Sequence, residues 1–226
     1  MATITGTDGS VRDDVTLGRV GMVLLIAAPL AMAVGRALLV PLDDQRWNKM
    51  LTAMADHQSR SDFGWVLALA SCGLLTLTVA LFARQLNESG RTKTAWFCVI
   101  ACALGWAGTA STCGAALLMS AAAKSPARAA MIKAVDDFNS GIGVALAFML
   151  VLIAAIGYIV LAVGMTRAKT VSKGAAVIVA IGGVMTLVTM PGPKTVLLVL
   201  SALLLCVGHV LALRPPRAAN EVHRRE

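Results

Sequence analysis

The sequence predicts an all-α, polytopic membrane protein: a six-transmembrane-helix bundle with short interfacial helices in its first and third (outer) loops. Three observations carry this expectation. Of 226 residues, 58% are hydrophobic and only 14% are charged, well under the roughly 25% of soluble domains. Six runs of 16 or more residues contain no Asp, Glu, Lys or Arg, and together they hold 135 positions. The basic residues sit in short loops beside those runs. A bilayer core about 30 Å thick needs about 20 apolar residues per helix, and the runs match that need. A soluble domain of this size cannot bury six of them. Composition therefore excludes a soluble enzyme, a disordered chain and a disulfide scaffold.

The elements follow in order. Residues 1–18 read as a small, polar, flexible tail with Arg12, Asp13 and Asp14, turning helical near Asp13. The first span covers about 19–40. Its apolar run is long and continues past Arg36, which suits an uncleaved signal-anchor better than a cleaved signal peptide. Pro29 should kink it. The second span covers 63–83. The third, 94–120, lies in the charge-free stretch Thr94–Ala123, and the fourth covers 138–166. These two runs exceed the bilayer need, so they are expected to tilt or project. The fifth, 174–190, is closed by Pro191-Gly192-Pro193, a strong turn signal. The sixth, 195–213, ends before Pro215-Pro216 and a basic tail, 214–226. Anionic headgroups attract such a tail by about 1 kcal/mol per basic residue near the surface, which makes the net charge of +8 a membrane-surface feature. No nucleic-acid partner is expected.

The two long loops each carry a helical apolar pattern: Trp47, Met50, Leu51 and Met54 in one, Met131, Ile132, Val135 and Phe138 in the other. Spacings of three and four predict short amphipathic helices in the outer interface. The two loops also align at an offset of 81: Met50, Ala53, Asp56 and Ser59 match Met131, Ala134, Asp137 and Ser140. The same offset lays residues 19–83 on 100–164 and suggests a parallel repeat about an axis along the membrane normal. Constrained composition in two interfacial helices explains the match as well. Lys and Arg number 12 on the side of the termini and 7 on the other, so both termini are placed in the cytoplasm. Small size and short loops suit a bacterial inner membrane.

Functional signals are sparse. Helices in lipid associate through close packing, and three small-residue stripes offer it. They are Cys98, Cys102, Gly105, Thr109, Thr112 and Ala116; Gly143, Ala147, Ala154, Gly157 and Gly164; and Gly182, Gly183, Thr186 and Thr189. A bundle seam explains them first; a polar-lined pathway along Cys98, Cys102, Thr109 and Thr112 is the alternative. Cys98 and Cys102 are four apart, unlike a redox C-x-x-C or a zinc knuckle, and a thiol in apolar surroundings is poorly reactive. All five cysteines lie inside apolar runs, so no exposed disulfide framework is expected.

An outer-mouth polar cluster is the best constellation: Arg36, Asp56, His57, Asp136 and Asp137. Arg36 either snorkels to the headgroups or serves as counter-charge for Asp56, Asp62, Asp136 or Asp137. Carboxylates with an imidazole suit a divalent cation, but no ligand spacing supports one. N-capping by Asp136, Asp137 and Asn139 is the simpler explanation. His209 is the intramembrane polar residue of the sixth span. With His57 outside and His223 in the tail, a bis-His haem has no second ligand. No cofactor or metal is expected. Nor is there a Gly-rich phosphate loop, an H-E-x-x-H, a G-x-S-x-G or an intramembrane acid pair. The expected function is therefore a non-enzymatic accessory, assembly or scaffold subunit, partnered by the bilayer and by another membrane protein or itself. A transporter or channel for a small solute or cation is the alternative. A membrane enzyme ranks third.

Overall fold

The computed structural model describes residues 8–39, 47–188 and 195–213. The tail 214–226, residues 1–7 and the Pro191–Pro193 turn lie outside the described residues. The protein is all-helical: α1 (Asp8–Leu38), α2 (Trp47–Asp56), α3 (Gln58–Glu88), α4 (Thr92–Ala122), α5 (Arg128–Ser140), α6 (Ile142–Ala168), α7 (Lys173–Val188) and α8 (Thr195–Ala212). Four segments are long and apolar enough to cross a membrane: Val20–Leu38, Gln58–Glu88, Thr92–Ala122 and Ala145–Ala168. Helix α1 begins at Asp8, ahead of the expected boundary near Arg19, so much of the polar N-terminal segment is helical.

Polar ends lengthen the other helices too. Helix α3 extends to Glu88 through Arg84, whose Nε donates to Glu88 Oε1 at 2.9 Å one turn on. Gly90 follows at φ +80°, a conformation that glycine adopts without penalty, and the Arg91 amide donates back to Leu86 O. The backbone reverses there into α4. Helix α6 stops at Lys169, whose φ of 56° puts a non-glycine residue in the left-handed region. The end carbonyls of two helices gain long-range donors. Arg60 Nη2 reaches Ala37 O at 3.3 Å, and Arg91 Nη2 reaches Arg167 O at 3.4 Å. Each satisfies an acceptor that its own helix leaves open.

Six helices form a closed ring. Helix α1 packs on α3, α3 on α4, α4 on α6, α6 on α7, α7 on α8, and α8 returns to α1. Glycine sets the closest approaches. A Cβ at Gly35 would stand 2.9 Å from Ala68 N, and one at Gly64 would stand 2.8 Å from Gly35 O. One at Gly182 would stand 2.6 Å from Leu205 N. The ring centre is filled. Trp106 and Tyr158 are buried, their rings meet edge to face, and Trp106 Nε1 donates to Tyr158 Oη at 3.2 Å. Gly183 makes room for the tyrosine ring, since a Cβ there would overlap it.

The short helices α2 and α5 occupy the same end of the bundle. The order long, short, long occurs twice, and Arg128, the first residue of α5, stands 81 positions after Trp47, the first of α2. Arg128 Nη2 donates to Thr52 Oγ1 at 2.9 Å, which ties the two together. Leu51 and Met54, both of α2, are buried.

Candidate functional site

The small-residue stripe of α4 is a packing seam. Cys98, Cys102 and Thr109 are buried. A Cβ at Gly157 would stand 2.9 Å from Ala101 Cβ and Cys102 Sγ, and one at Gly105 would collide with Ala154 Cβ. The Cys102 Sγ faces Ala154 O at 3.9 Å. Thr112 is exposed and donates to its own helix at Gly108 O, 3.1 Å away. The stripe therefore does not run as one polar lining: its Cys98–Thr109 part is closed by α6, and Thr112 faces outward. Thr186 is spent in the same way, on Gly182 O at 2.6 Å. Thr189 lies outside the described residues.

The outer-mouth group divides. Asp56 and His57 are exposed where α2 meets α3, and Asp137 is exposed on α5. The Asp136 side chain lies outside the described residues. Arg36 departs most from expectation: only 2% of it is exposed, so it does not snorkel. Its Nε donates to Met32 Sδ at 3.5 Å, and its guanidinium carbon lies 6.0 Å from the Trp65 ring centroid, at the edge of cation–π range. Ser71 Oγ donates to Ala68 O at 2.7 Å and lies 3.4 Å from the same Met32 sulfur. The Cys72 Sγ donates to Ala68 O at 3.2 Å, and the Cys72 and Cys113 thiols sit within electrostatic reach of Arg36. Met32, Arg36, Ser71, Cys72 and Cys113 are all buried. Met32 and Arg36 of α1 thus meet Ser71 of α3 in the interior, with the Cys72 and Cys113 thiols within electrostatic reach. Reading the sequence missed it because Cys72 and Cys113 are far apart in the chain and match no spacing motif.

Unpartnered polar atoms gather on the same two helices. Among the described residues, Asp62 Oδ1, Trp65 Nε1, Thr109 Oγ1, Ser120 Oγ and His209 Nε2 are buried without a hydrogen-bond partner. The first four belong to α3 and α4. No group of three or more His, Cys, Asp or Glu among the described residues is placed to hold a metal ion.

His209 has a different role from the others. It is fully buried, its Nδ1 lies 2.9 Å from Leu25 O, and its ring meets Phe82 at a centroid distance of 5.4 Å. Leu25 O would ordinarily accept the amide of residue 29, but that residue is Pro29 and has no N–H. The kink residue of α1 frees a carbonyl, and α8 supplies the donor. Nδ1 therefore carries the proton toward Leu25 O, and Nε2 is left as the bare acceptor.

Comparison with protein-family models, with curated proteins and with solved structures finds no match. The reading of function rests on the chain itself.

Proposed function

We propose that the chain is a six-span, non-enzymatic membrane subunit that acts in assembly, and that the α5-proximal half of α6 is the face on which another membrane protein docks. One observation carries this reading: no described side chain from Ile142 to Ile153 is buried. Every turn of α3 and α4, in contrast, places a residue in the core. Ile142, Leu146 and Met149 are 88%, 60% and 59% exposed. Ala145 stands on the same exposed side, where a small residue lets a second helix backbone approach closely.

Helices α7 and α8 serve as the fifth and sixth spans in this reading. They have 16 and 18 residues, or about 24 and 27 Å at 1.5 Å per residue, and they complete the ring. The excess of Lys and Arg sets both termini in the cytoplasm, which leaves α2 and α5 in the outer interface. In a background without other cysteines, Ser89→Cys is expected to react with a membrane-impermeant maleimide only after the cells are opened. Labelling in intact cells would reverse the orientation.

The docking reading is tested by native mass spectrometry of the protein gently extracted at its natural expression level. A defined hetero-complex is expected, lost in Ala145→Trp and kept in Val20→Trp, which enlarges an exposed position on α1. A lone monomer, or a complex indifferent to Ala145→Trp, overturns it. A homo-oligomer would favour the second reading, transport of a small solute or cation. The unpartnered atoms of Asp62, Trp65, Thr109 and Ser120 support that alternative, and the Trp106–Tyr158 plug counts against it.

A further inference from the structure

Where α3 turns into α4, the two helices line a groove of about 280 Å³. Small side chains leave the space: Ala80 and Ala83 on α3, and Ala95 on α4, with Val99 further along. Arg84 and Asn87, both exposed, hold its other end. From Ala80 to Asn87 the groove follows α3 for about 10 Å, at 1.5 Å per residue, and it changes from apolar to polar along the way. Trp96 lines it near the start of α4 and is 64% exposed. Exposed indoles settle at the level of lipid headgroups. That sets the polar end of the groove among the headgroups and its apolar end in the hydrocarbon.

The charge at this end of the bundle is lopsided. The α3–α4 and α6–α7 connections meet where Arg91 Nη2 reaches Arg167 O. They carry Arg84, Arg91, Lys93, Arg167, Lys169 and Lys173 against a single acid, Glu88. Glu88 takes the Nε of Arg84, at 2.9 Å, and the two Nη groups hold the remaining guanidinium donors, in the fork that fits a phosphate. Asn87 Oδ1 accepts from Thr92 Oγ1 at 2.7 Å, so Nδ2 is the donor side of that amide. We propose that this groove binds one anionic glycerophospholipid, its phosphate on Arg84 and Asn87 and an acyl chain along Ala80, Ala83 and Val99. A free anion makes no use of the apolar half, and a zwitterionic lipid brings no net charge to offset the basic excess. Basic pockets between membrane helices hold anionic headgroups in this way. The site requires only that α3 and α4 cross the membrane, as their length and hydropathy allow. None of its residues belongs to α6, so it stands or falls separately from the docking reading.

The test adds dioleoyl-phosphatidylglycerol or dioleoyl-phosphatidylethanolamine to the full-length protein in detergent and counts bound lipid by native mass spectrometry. One phosphatidylglycerol is expected to be retained in preference to phosphatidylethanolamine. Arg84→Gln should lower that preference by about fivefold, the effect of one basic residue near anionic headgroups. Ala80→Phe fills the groove with every charge left in place, and it should abolish the preference. Lys133→Gln, which removes an exposed charge on α5, should leave it unchanged. A second measurement keeps the question decidable if Ala80→Phe fails to fold. In nanodiscs, phosphatidylglycerol brominated on its acyl chains should quench Trp96 more strongly than brominated phosphatidylethanolamine at the same mole fraction, with Trp96→Phe as the blank. Equal retention of the two lipids, a preference that survives Ala80→Phe or Arg84→Gln, an equal loss in Lys133→Gln, or equal quenching by the two lipids would each overturn the proposal.

Discussion

Replacing His209 by leucine is expected to destabilise the bundle by about 2–4 kcal/mol, read as a shift in the equilibrium SDS-unfolding midpoint. Leucine keeps most of the bulk against Phe82, so the loss falls on the bond to Leu25 O. Hydrogen bonds between membrane helices average about 0.6 kcal/mol, because the separated helices find other partners. Here the acceptor has none, since Pro29 removes its own donor, and a buried polar group left unsatisfied costs about 1–3 kcal/mol. Weaker closure of α8 onto α1, where Cys206 also faces Ile26 O at 3.9 Å, adds to it. The same logic predicts a rescue. Pro29→Ala gives Leu25 O a donor within α1, so His209→Leu should cost about 1–2 kcal/mol less when combined with Pro29→Ala than when made alone. A double-mutant cycle isolates that coupling. Equal costs in both backgrounds would show that the histidine acts by packing alone.

The second large effect is a contrast between two glycines of one helix. Gly105→Ala is expected to destabilise by about 1–3 kcal/mol, the usual cost of overpacking. Its Cβ would collide with Ala154 and stand 3.1 Å from Leu150 O. Gly114→Ala meets nothing within 4 Å and should stabilise by about 0.5–1 kcal/mol through helix propensity. Thermal unfolding of both variants in the same detergent compares them directly. Shifts of the same sign and size would mean that the α4–α6 seam is not as close as described.

Much of the fold was legible because lipid imposes simple rules. Charge-free runs of membrane length identify the long helices, and apolar spacings of three and four identify α2 and α5 before any tertiary contact is considered. Helix ends were less legible. Helix α3 runs to Glu88 on the Arg84–Glu88 pair, and α1 starts at Asp8, because polar residues extend helices beyond what an apolar count detects. Candidate-site residues were legible by type and misread by environment. Arg36 stands one turn before the end of an apolar run, a position that normally allows snorkelling, yet α3 and α4 close over it. Asp56 and His57 are conspicuous in sequence and lie in solvent-exposed positions.

Sequence alone determined that this is a helical membrane protein, where its apolar helices run and which residues can pack closely, since hydropathy, length and side-chain size are properties of the chain. Tertiary structure alone decided the closed ring, the seating of α8 on the carbonyl freed by Pro29, and the meeting of Met32, Arg36 and Ser71. These depend on which helix faces which at what height. In a bilayer, where every apolar face suits lipid equally well, local pattern does not choose the neighbour; close approach at glycine and satisfaction of the few buried polar groups do.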